Sequence, residues 1–556
     1  MASTDEKSTA MSPEVMAATV AQLQAEFAGY KAETAIKVAA LEETITGLAH
    51  ENTLLKRRLY GNKTERSRTS ELQLALGDLL AGEAQLQQDL DKKVEEAANA
   101  APPEPEGKGK PRPHGRRNLL VSKLPRVVVE IIHEELEARG CRRVGFEESP
   151  QLAFRPGGFY VLVKRIAKYE VIENGVATVE TTPSPETLFP KAMLHTSTIA
   201  HLLTSKFVLG TPHYRLEQAL ADQDAPLDRG LMSRYVEHAG NTLGATIVAA
   251  MWRDALTNGQ VISTDATGAL IQPTKAKDGR SLACKKGHFF TAVVDAEAVL
   301  FHYAEKHTSE LVQQLFGGFR GYLQADASAV YDILERGPPK DTDDEPAVKL
   351  VGCWAHCRRY FFEAALCRHS VGLQGLLRIR AIYAADSAGR RVPRDDRAAF
   401  RAVHLRPLFD EFFAWAQAAR ETTIGRNLAT RAIGYALNQE SELRRVLDDA
   451  ELPLDNTRAE RALRKIVVGR KSWLFYGSDT HAEAAAAIFT LVASCRLRHL
   501  DPFAYLEEVL RALPYWPRER YLELAPARWS ATRARLNPDE LDFPIGSFAV
   551  PAPTVA

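Results

Sequence analysis

Two stretches of the chain decide its fold: QVISTDATG at residues 260–268 and GYLQADASAVYD at residues 321–332. Each carries a short run with β-branched or aromatic residues up to an aspartate, Asp265 in the first and Asp326 in the second. Such a run reads as a strand that ends on an acid. Between them, HFFTAVVD (288–295) and AVLFHYA (298–304) read as two more strands, and Thr308–Phe316 as a helix. A short helix from Ser328 to Leu334 and a strand in VKLVGCW (348–354) follow.

Three strands, helix, strand, helix, strand is the order of a ribonuclease-H-like fold, in which the first and fourth strands lie side by side. Adjacent strands are about 5 Å apart, so this order brings Asp265 and Asp326 within reach of shared metal ions. An isolated Asp after a strand serves as a turn or helix cap. A pair can do more, because Mg²⁺ prefers hard oxygen ligands and is held by one or two carboxylates together with phosphate oxygens. Two such ions activate a water or a 3′-hydroxyl and stabilise the leaving oxygen of an in-line displacement.

A third acid stands in DNTRAERALRKIVVGRKSW (455–473). Glu460 falls on a helix opened by Asp455 or Asn456, crowded by Arg458, Arg461, Arg464, Lys465, Arg470 and Lys471. An i, i+4 pair with Arg464 would be worth only tenths of a kcal/mol. So dense a basic segment suits a surface laid against DNA better than a solvated helix face. Trp473, Phe475 and Tyr476 follow, with core packing the expected role and base stacking the alternative.

Upstream of the strands the sequence is helical. Ser197–Leu209, HYRLEQALADQ (213–223) and LDRGLMSRYVEHAG (227–240) read as three helices, the last two forming a helix-turn-helix. Arg229, Ser233 and Arg234 are the residues there of types that touch DNA. Before them, 123–188 mixes β-branched runs with glycine turns and reads as a small β-rich module. Residues 99–122 form a Pro-rich basic linker, in which Arg116 and Arg117 could track a phosphate backbone.

Residues 13–98 read as a coiled coil. Leu41, Ile45, Leu48, Leu55 and Leu59 make a heptad seam with Asn52 at one core position, out of phase with an earlier seam of Val20, Leu23, Phe27 and Tyr30. Self-association into a homo-oligomer is the expected consequence; a single helix folded against the protein's own body is the alternative.

Composition sets the outer bounds. At 556 residues several units are expected, and 71 basic against 71 acidic residues leave local clustering as the only guide to nucleic acid. The longest apolar run, Ala484 to Cys495, is too short to span a bilayer, and the N-terminus has no signal-peptide pattern. Six cysteines in so long a chain suit a reducing compartment. These features imply a soluble protein kept inside the cell, with no membrane association. No glycine-rich phosphate loop implies ATP. Cys353, His356 and Cys357 in CWAHC lie where a strand leads into a helix, which separates their directions. His288, His302 and His307 have no spacing partner and read as structural.

The chain resembles the insertion sequence 66 (IS-66) type of bacterial DDE transposase. The resemblance rests on FRGYLQADASAVYD, VGCWAHCRRYFFEA, DNTRAERALRKIVVGRKSWLFYGSD and LDPFAYLEEVL, in family order, and covers roughly residues 190 to 515. LLKRRLYGNKTER resembles that family's leucine-zipper region, and HGRRNLLVSKLPR the segment after its linker.

The resemblance implies that Asp265, Asp326 and Glu460 form a catalytic triad. They would act with Mg²⁺ or Mn²⁺, two ions per site, cleaving element ends and joining the freed 3′-hydroxyls to target DNA. Arg358 and Arg359 join the candidate phosphate contacts. It further implies a protein of the bacterial cytoplasm, at the nucleoid, with double-stranded DNA and accessory proteins of the same element as partners. The whole is then a multidomain α+β chain. After the coil, linker and β module come a helical DNA-binding domain (190–256) and a ribonuclease-H-like catalytic domain (257–480) with a helical insertion at about 363–450. A C-terminal helical region (481–536) and a flexible tail (537–556) complete it.

Two departures stand out. The family often has DET where this chain reads Asp265, Ala266, Thr267. Members also commonly carry paired cysteines before the helix-turn-helix, where this chain has only Cys141, so the β module is expected to be free of zinc. Two other readings stay open: a catalytically inactive DNA-binding scaffold derived from a transposase, and a ribonuclease-H-like nuclease that hydrolyses without joining.

Overall fold

The computed structural model describes residues 119, 124–155, 157–173, 176–273, 283–335 and 348–553. The expected coiled coil and, Leu119 apart, the linker with Arg116 and Arg117 lie outside the described residues. The chain is a mixed α and β protein whose described part divides into two compact units. Gly352–Asp455 is one; the residues before it, up to Val351, and after it, from Asn456, form the other.

The larger unit starts with a four-stranded sheet. Strand β1 (Arg126–Ile131) leads through the short helix α1 (Glu134–Ala138) to β2 (Arg142–Arg155), β3 (Gly158–Glu173) and β4 (Val176–Thr181). The long β3 is central: β2 runs antiparallel along one edge, and β1 and β4 share the other. Three helices follow, α2 (Thr196–Phe207), α3 (His213–Ala221) and α4 (Arg229–Leu243).

The last of these does not stop at Gly240 as the sequence suggests. It runs on through a π-helical turn, Gly244–Val248, into α5 (Ala249–Asn258). The two glycines are there for close approach rather than termination. A Cβ on Gly240 would lie 2.5 Å from the Ala484 carbonyl oxygen, and one on Gly244 would lie 3.3 Å from the Ala487 methyl.

The second sheet is built from β5 (Val261–Ile271), β6 (Lys285–Val294) and β7 (Ala298–Ala304), then helix α6 (Ser309–Phe316), then β8 (Gly321–Gln324) and β9 (Val348–Val351). Its order is β7-β6-β5-β8-β9, with β8 and β9 parallel to β5 and with β6 antiparallel to both β5 and β7. The β6–β7 turn has Asp295 and Ala296 both at positive φ (48° and 58°), the backbone that matches the twist of a tight hairpin. The Asp295 carboxylate accepts from the Val261 amide at 2.8 Å and so ties that turn to the start of β5. Between β8 and β9 the expected helix over Ser328–Leu334 is reduced to a single 3₁₀ turn, Asp332–Leu334.

The smaller unit is helical: α7 (Trp354–Leu366), α8 (Ser370–Gly389), α9 (Arg406–Thr422) and α10 (Leu428–Asn438). Trp354 is its centre, with its ring 4.7 Å from Phe409 and 5.2 Å from Phe412, and its indole N–H donated to the Leu443 carbonyl at 3.1 Å. Buried Arg401 is fully engaged, by Asp386 at 3.0 Å and by the carbonyls of Val446, Asp449 and Leu452.

From Asn456 the chain returns to the larger unit as α11 (Thr457–Trp473), α12 (Asp479–Leu497), α13 (Pro502–Ala512) and α14 (Pro526–Arg533). The apolar Ala484–Cys495 run belongs to α12, whose hydroxyls cover the free edge of β7. Thr490 Oγ1 accepts from the Phe301 amide at 2.8 Å, and Ser494 Oγ accepts from the Val299 amide at 3.0 Å and donates to its carbonyl. An edge strand is thus satisfied without a further strand. Residues 537–553, for which the sequence suggested a tail, bury Leu541, Ile545 and Phe548. Among the described residues, no helix is long and apolar enough to cross a membrane.

Candidate active site

Strand register brings the two aspartates together. In the parallel pair β5–β8, Val261, Ile262 and Ser263 stand opposite Tyr322, Leu323 and Gln324. Asp265 and Asp326 each lie two residues beyond the last of these pairs. Side chains alternate along a strand, so each acid takes the same face as the residue two before it. That face is marked by the Ser263 hydroxyl, which donates to Gln324 Oε1 at 3.3 Å. The Ala325 amide still bonds the Val351 carbonyl, at 3.3 Å, so the chain remains extended up to Asp326. Asp265 does not end its strand, as the sequence suggested: β5 continues to Ile271, paired with β6 alone. What ends at Ser263 is the pairing with β8, and the acid occupies the opened edge.

Tyr331 lies within electrostatic reach of both aspartates. Its phenol is buried, and burial is the main force holding its proton on. The nearby Thr264 hydroxyl works against that shift, and the charges of Asp326 and Asp265 both add to it. One hydroxyl therefore lies in the field of both carboxylates. His307 is a second neighbour: burial lowers its pKa and the Asp326 charge partly restores it. Its ring packs edge-on against Phe290 at 5.0 Å and lies 6.4 Å from Tyr331. Tyr331 was unassigned in the sequence and His307 was read as structural; neither has a spacing signal to mark it.

Glu460 comes from the other side. Beyond Ser263, the Thr264 carbonyl is taken by fully buried Asn456, whose Nδ2 donates at 3.2 Å. Asn456 also opens α11, its carbonyl accepting the Glu460 amide at 3.2 Å. Farther along, Arg470 bonds the Gly268 carbonyl and Thr267 Oγ1, and Tyr476 pairs with Leu270 and Gln272. Helix α11 thus runs alongside β5 in the same direction, with Glu460 in its first turn. The three acids are not one ligand cluster, however. Among the described residues, no three His, Cys, Asp or Glu side chains are gathered closely enough to hold one ion. The carboxylate oxygens of Asp265 and Asp326 are of the donor type that suits a hard divalent cation.

The basic residues separate into groups. Arg461, Arg464, Lys465 and Lys471 are exposed along one side of α11, with Arg458 beside them, whereas Arg470 is turned inward onto β5. Arg229 and Arg234 are exposed at the start of α4. The Ser233 hydroxyl is already bonded to His481 Nε2 at 2.9 Å. Arg358 and Arg359 are half-buried on α7 in the smaller unit. Cys353 and Cys357 are buried there.

Comparison with known proteins agrees with this architecture. The family model described as the transposase IS66 family matches residues 191–484, that of the IS66 C-terminal element matches 490–527, and one described as transposase C of IS166 homeodomain matches 47–129. Three uncharacterized proteins of Sinorhizobium fredii (strain NBRC 101917 / NGR234) are similar over most of their length. They are y4qI (26% identical, covering 87% of this chain and 89% of that one), y4hP (25%, 86% and 88%) and y4jD (25%, 86% and 93%). The chain belongs to the IS66 family of transposases.

Proposed function

We propose that this transposase is a DDE-type enzyme that cleaves DNA at element ends and transfers the freed strands, using Asp265, Asp326 and Glu460 on a ribonuclease-H-like core. The observation that carries the reading is the equal offset of Asp265 and Asp326 past the Ser263–Gln324 pair on adjacent parallel strands. The sheet order supports the same assignment, since the first and fourth strands are neighbours.

Asp265 and Asp326 would hold Mg²⁺ or Mn²⁺, and Glu460 would complete the set for a second ion. Bound there, the ions supply a lowered pKa for the attacking hydroxyl and charge neutralisation at the phosphorus. The chain's own part is positional. The sheet gives the two aspartates the same offset on adjacent strands, and Asn456 ties the first turn of α11 to β5, from which Glu460 would join them. The exposed cations of α11 then bind the phosphate backbone that runs past the acids. Arg229 and Arg234 would add contacts to the terminal inverted repeats, and the coil at 13–98 would join protomers.

The test is strand transfer from labelled element ends by the wild type and by Asp265→Ala, Asp326→Ala and Glu460→Ala. Joined products from the wild type and none from the variants are expected. Cleavage without joining would replace the reading with a nuclease, and binding without cleavage with an inactive scaffold.

A further inference from the structure

The end of α11 departs from ordinary backbone. Leu474 has φ 66° and ψ −51°, and the Phe475 amide donates to the Trp473 carbonyl at 2.8 Å. An i to i+2 bond across a residue of positive φ is a γ-turn of the rare, strained hand, and leucine gains nothing from that conformation. The residues on either side are anchored. Trp473 packs with Phe207, their ring centroids 6.2 Å apart, and Lys206 Nζ lies 5.5 Å from its ring. Tyr476 is buried against Phe289, its amide bonding the Leu270 carbonyl at 2.9 Å and its carbonyl accepting from the Gln272 amide at 2.8 Å. Between these two anchors the turn leaves Phe475 36% exposed, three residues after the exposed Lys471 and Ser472 end the basic face.

An outward phenyl at the end of a basic helix face has the chemistry of a stacking platform, because every nucleobase offers a π-face and nearby cations hold the phosphates. We propose that Phe475 stacks on a nucleobase of the DNA bound along α11, a base that is unpaired or loosened from its neighbours. This rests on the transposase reading above. The register gives its place: Tyr476 pairs beside Ile271, six residues along β5 from Asp265, which is ~20 Å at strand rise. At 3.4 Å per nucleotide that is about six positions from the phosphate at the acids.

The experiment uses the full chain and two synthetic probes, a fully paired duplex and the same duplex carrying one unpaired 2-aminopurine. The wild type should bind the second probe more tightly and change its fluorescence. Phe475→Ala should erase that preference, a loss of about 5- to 160-fold in affinity for the unpaired probe alone, while Phe475→Trp preserves it. Phe475→Leu, which keeps apolar bulk without the π-face, should behave as the alanine variant does, and guards against a folding defect peculiar to the smaller side chain. Unchanged preference and fluorescence in both Phe475→Ala and Phe475→Leu would overturn the inference while leaving the transposase reading in place. Failure of the wild type to bind either probe would instead overturn that reading, and the stacking role with it.

Discussion

The two sides of the candidate site are built by different physics. Asp265 and Asp326 are held by strand register: moving either relative to the other means breaking the β5–β8 pairing or slipping it, and a slip by one residue turns a side chain to the opposite face. Glu460 is carried by a helix, packed on the core through Ala459, Leu463 and Ile466, whose opening residue Asn456 bonds the Thr264 carbonyl. A side chain on such a helix can shift by rotation or by movement of a single turn while the sheet stays intact. The strand half is therefore set by backbone pairing, and on the proposed reading the helix half is the part that DNA bound along the basic face of α11 would adjust.

Removing the acids should break this comparison most severely. Asp265→Ala and Asp326→Ala should each lower strand transfer by at least about 10³-fold, a loss of ~4 kcal/mol in transition-state stabilisation, with the fold retained. Glu460→Ala should be as severe for transfer yet different in metal binding. Measured by Mn²⁺ paramagnetic resonance on DNA-free protein, binding should disappear with either Asp variant and survive with Glu460→Ala. Equal loss in all three would show that the helix half is as fixed as the strand half.

Asn456→Ala comes next. It leaves a buried carbonyl without its partner, at a cost of about 1–3 kcal/mol in urea unfolding, and frees the first turn of α11. Strand transfer should fall while DNA-free Mn²⁺ binding stays, since the β5–β8 register does not depend on this side chain.

Within α11 the basic residues should divide in the same way. Arg461→Ala, Lys465→Ala and Lys471→Ala should each weaken DNA binding and reduce the slope of log affinity against log salt by about 0.9 if one phosphate contact is lost. Arg470→Ala should act on stability instead, because its guanidinium is committed to Thr267 and Gly268 on β5.

The strand half was legible in the sequence because its information is local. Short β-branched or aromatic runs mark VISTD and GYLQ as strands, and the order of elements between them suggests which strands are neighbours. The rest depends on distant partners. The continuation of β5 passes through Ala266 and Gly268, which have little strand propensity of their own, and is secured by β6 and by Tyr476. Gly240 and Gly244 look like helix ends until α12 is laid against them. Asn456 is visible as a helix opener, but nothing near it in sequence names Thr264 as its other partner. Tyr331 sits in a short segment whose expected helix collapses to one turn, and only the folded chain brings its hydroxyl within electrostatic reach of both acids.

The far end of α11 offers the smallest and most specific test. Lys206 is held there over the Trp473 ring and donates to His213 Nε2 at 3.1 Å, and burial lowers its pKa to about 8. In the unfolded chain a lysine titrates near 10.4. Between these values the unfolded state binds the proton more strongly, so folding stability should rise as pH rises through that window, and below about pH 8 the cost of the buried charge is fully present. Lys206→Met should flatten that rise, measured as unfolding free energy from pH 7 to 10.5, and should add ~1 kcal/mol at pH 7, allowing for the contacts it forfeits. Because Trp473 is one anchor of the Leu474 turn, the same variant should leave Mn²⁺ binding at the strand half unchanged while shifting the 2-aminopurine signal at Phe475. Those two readouts moving together would mean that the ends of α11 are not independent of the acid pair.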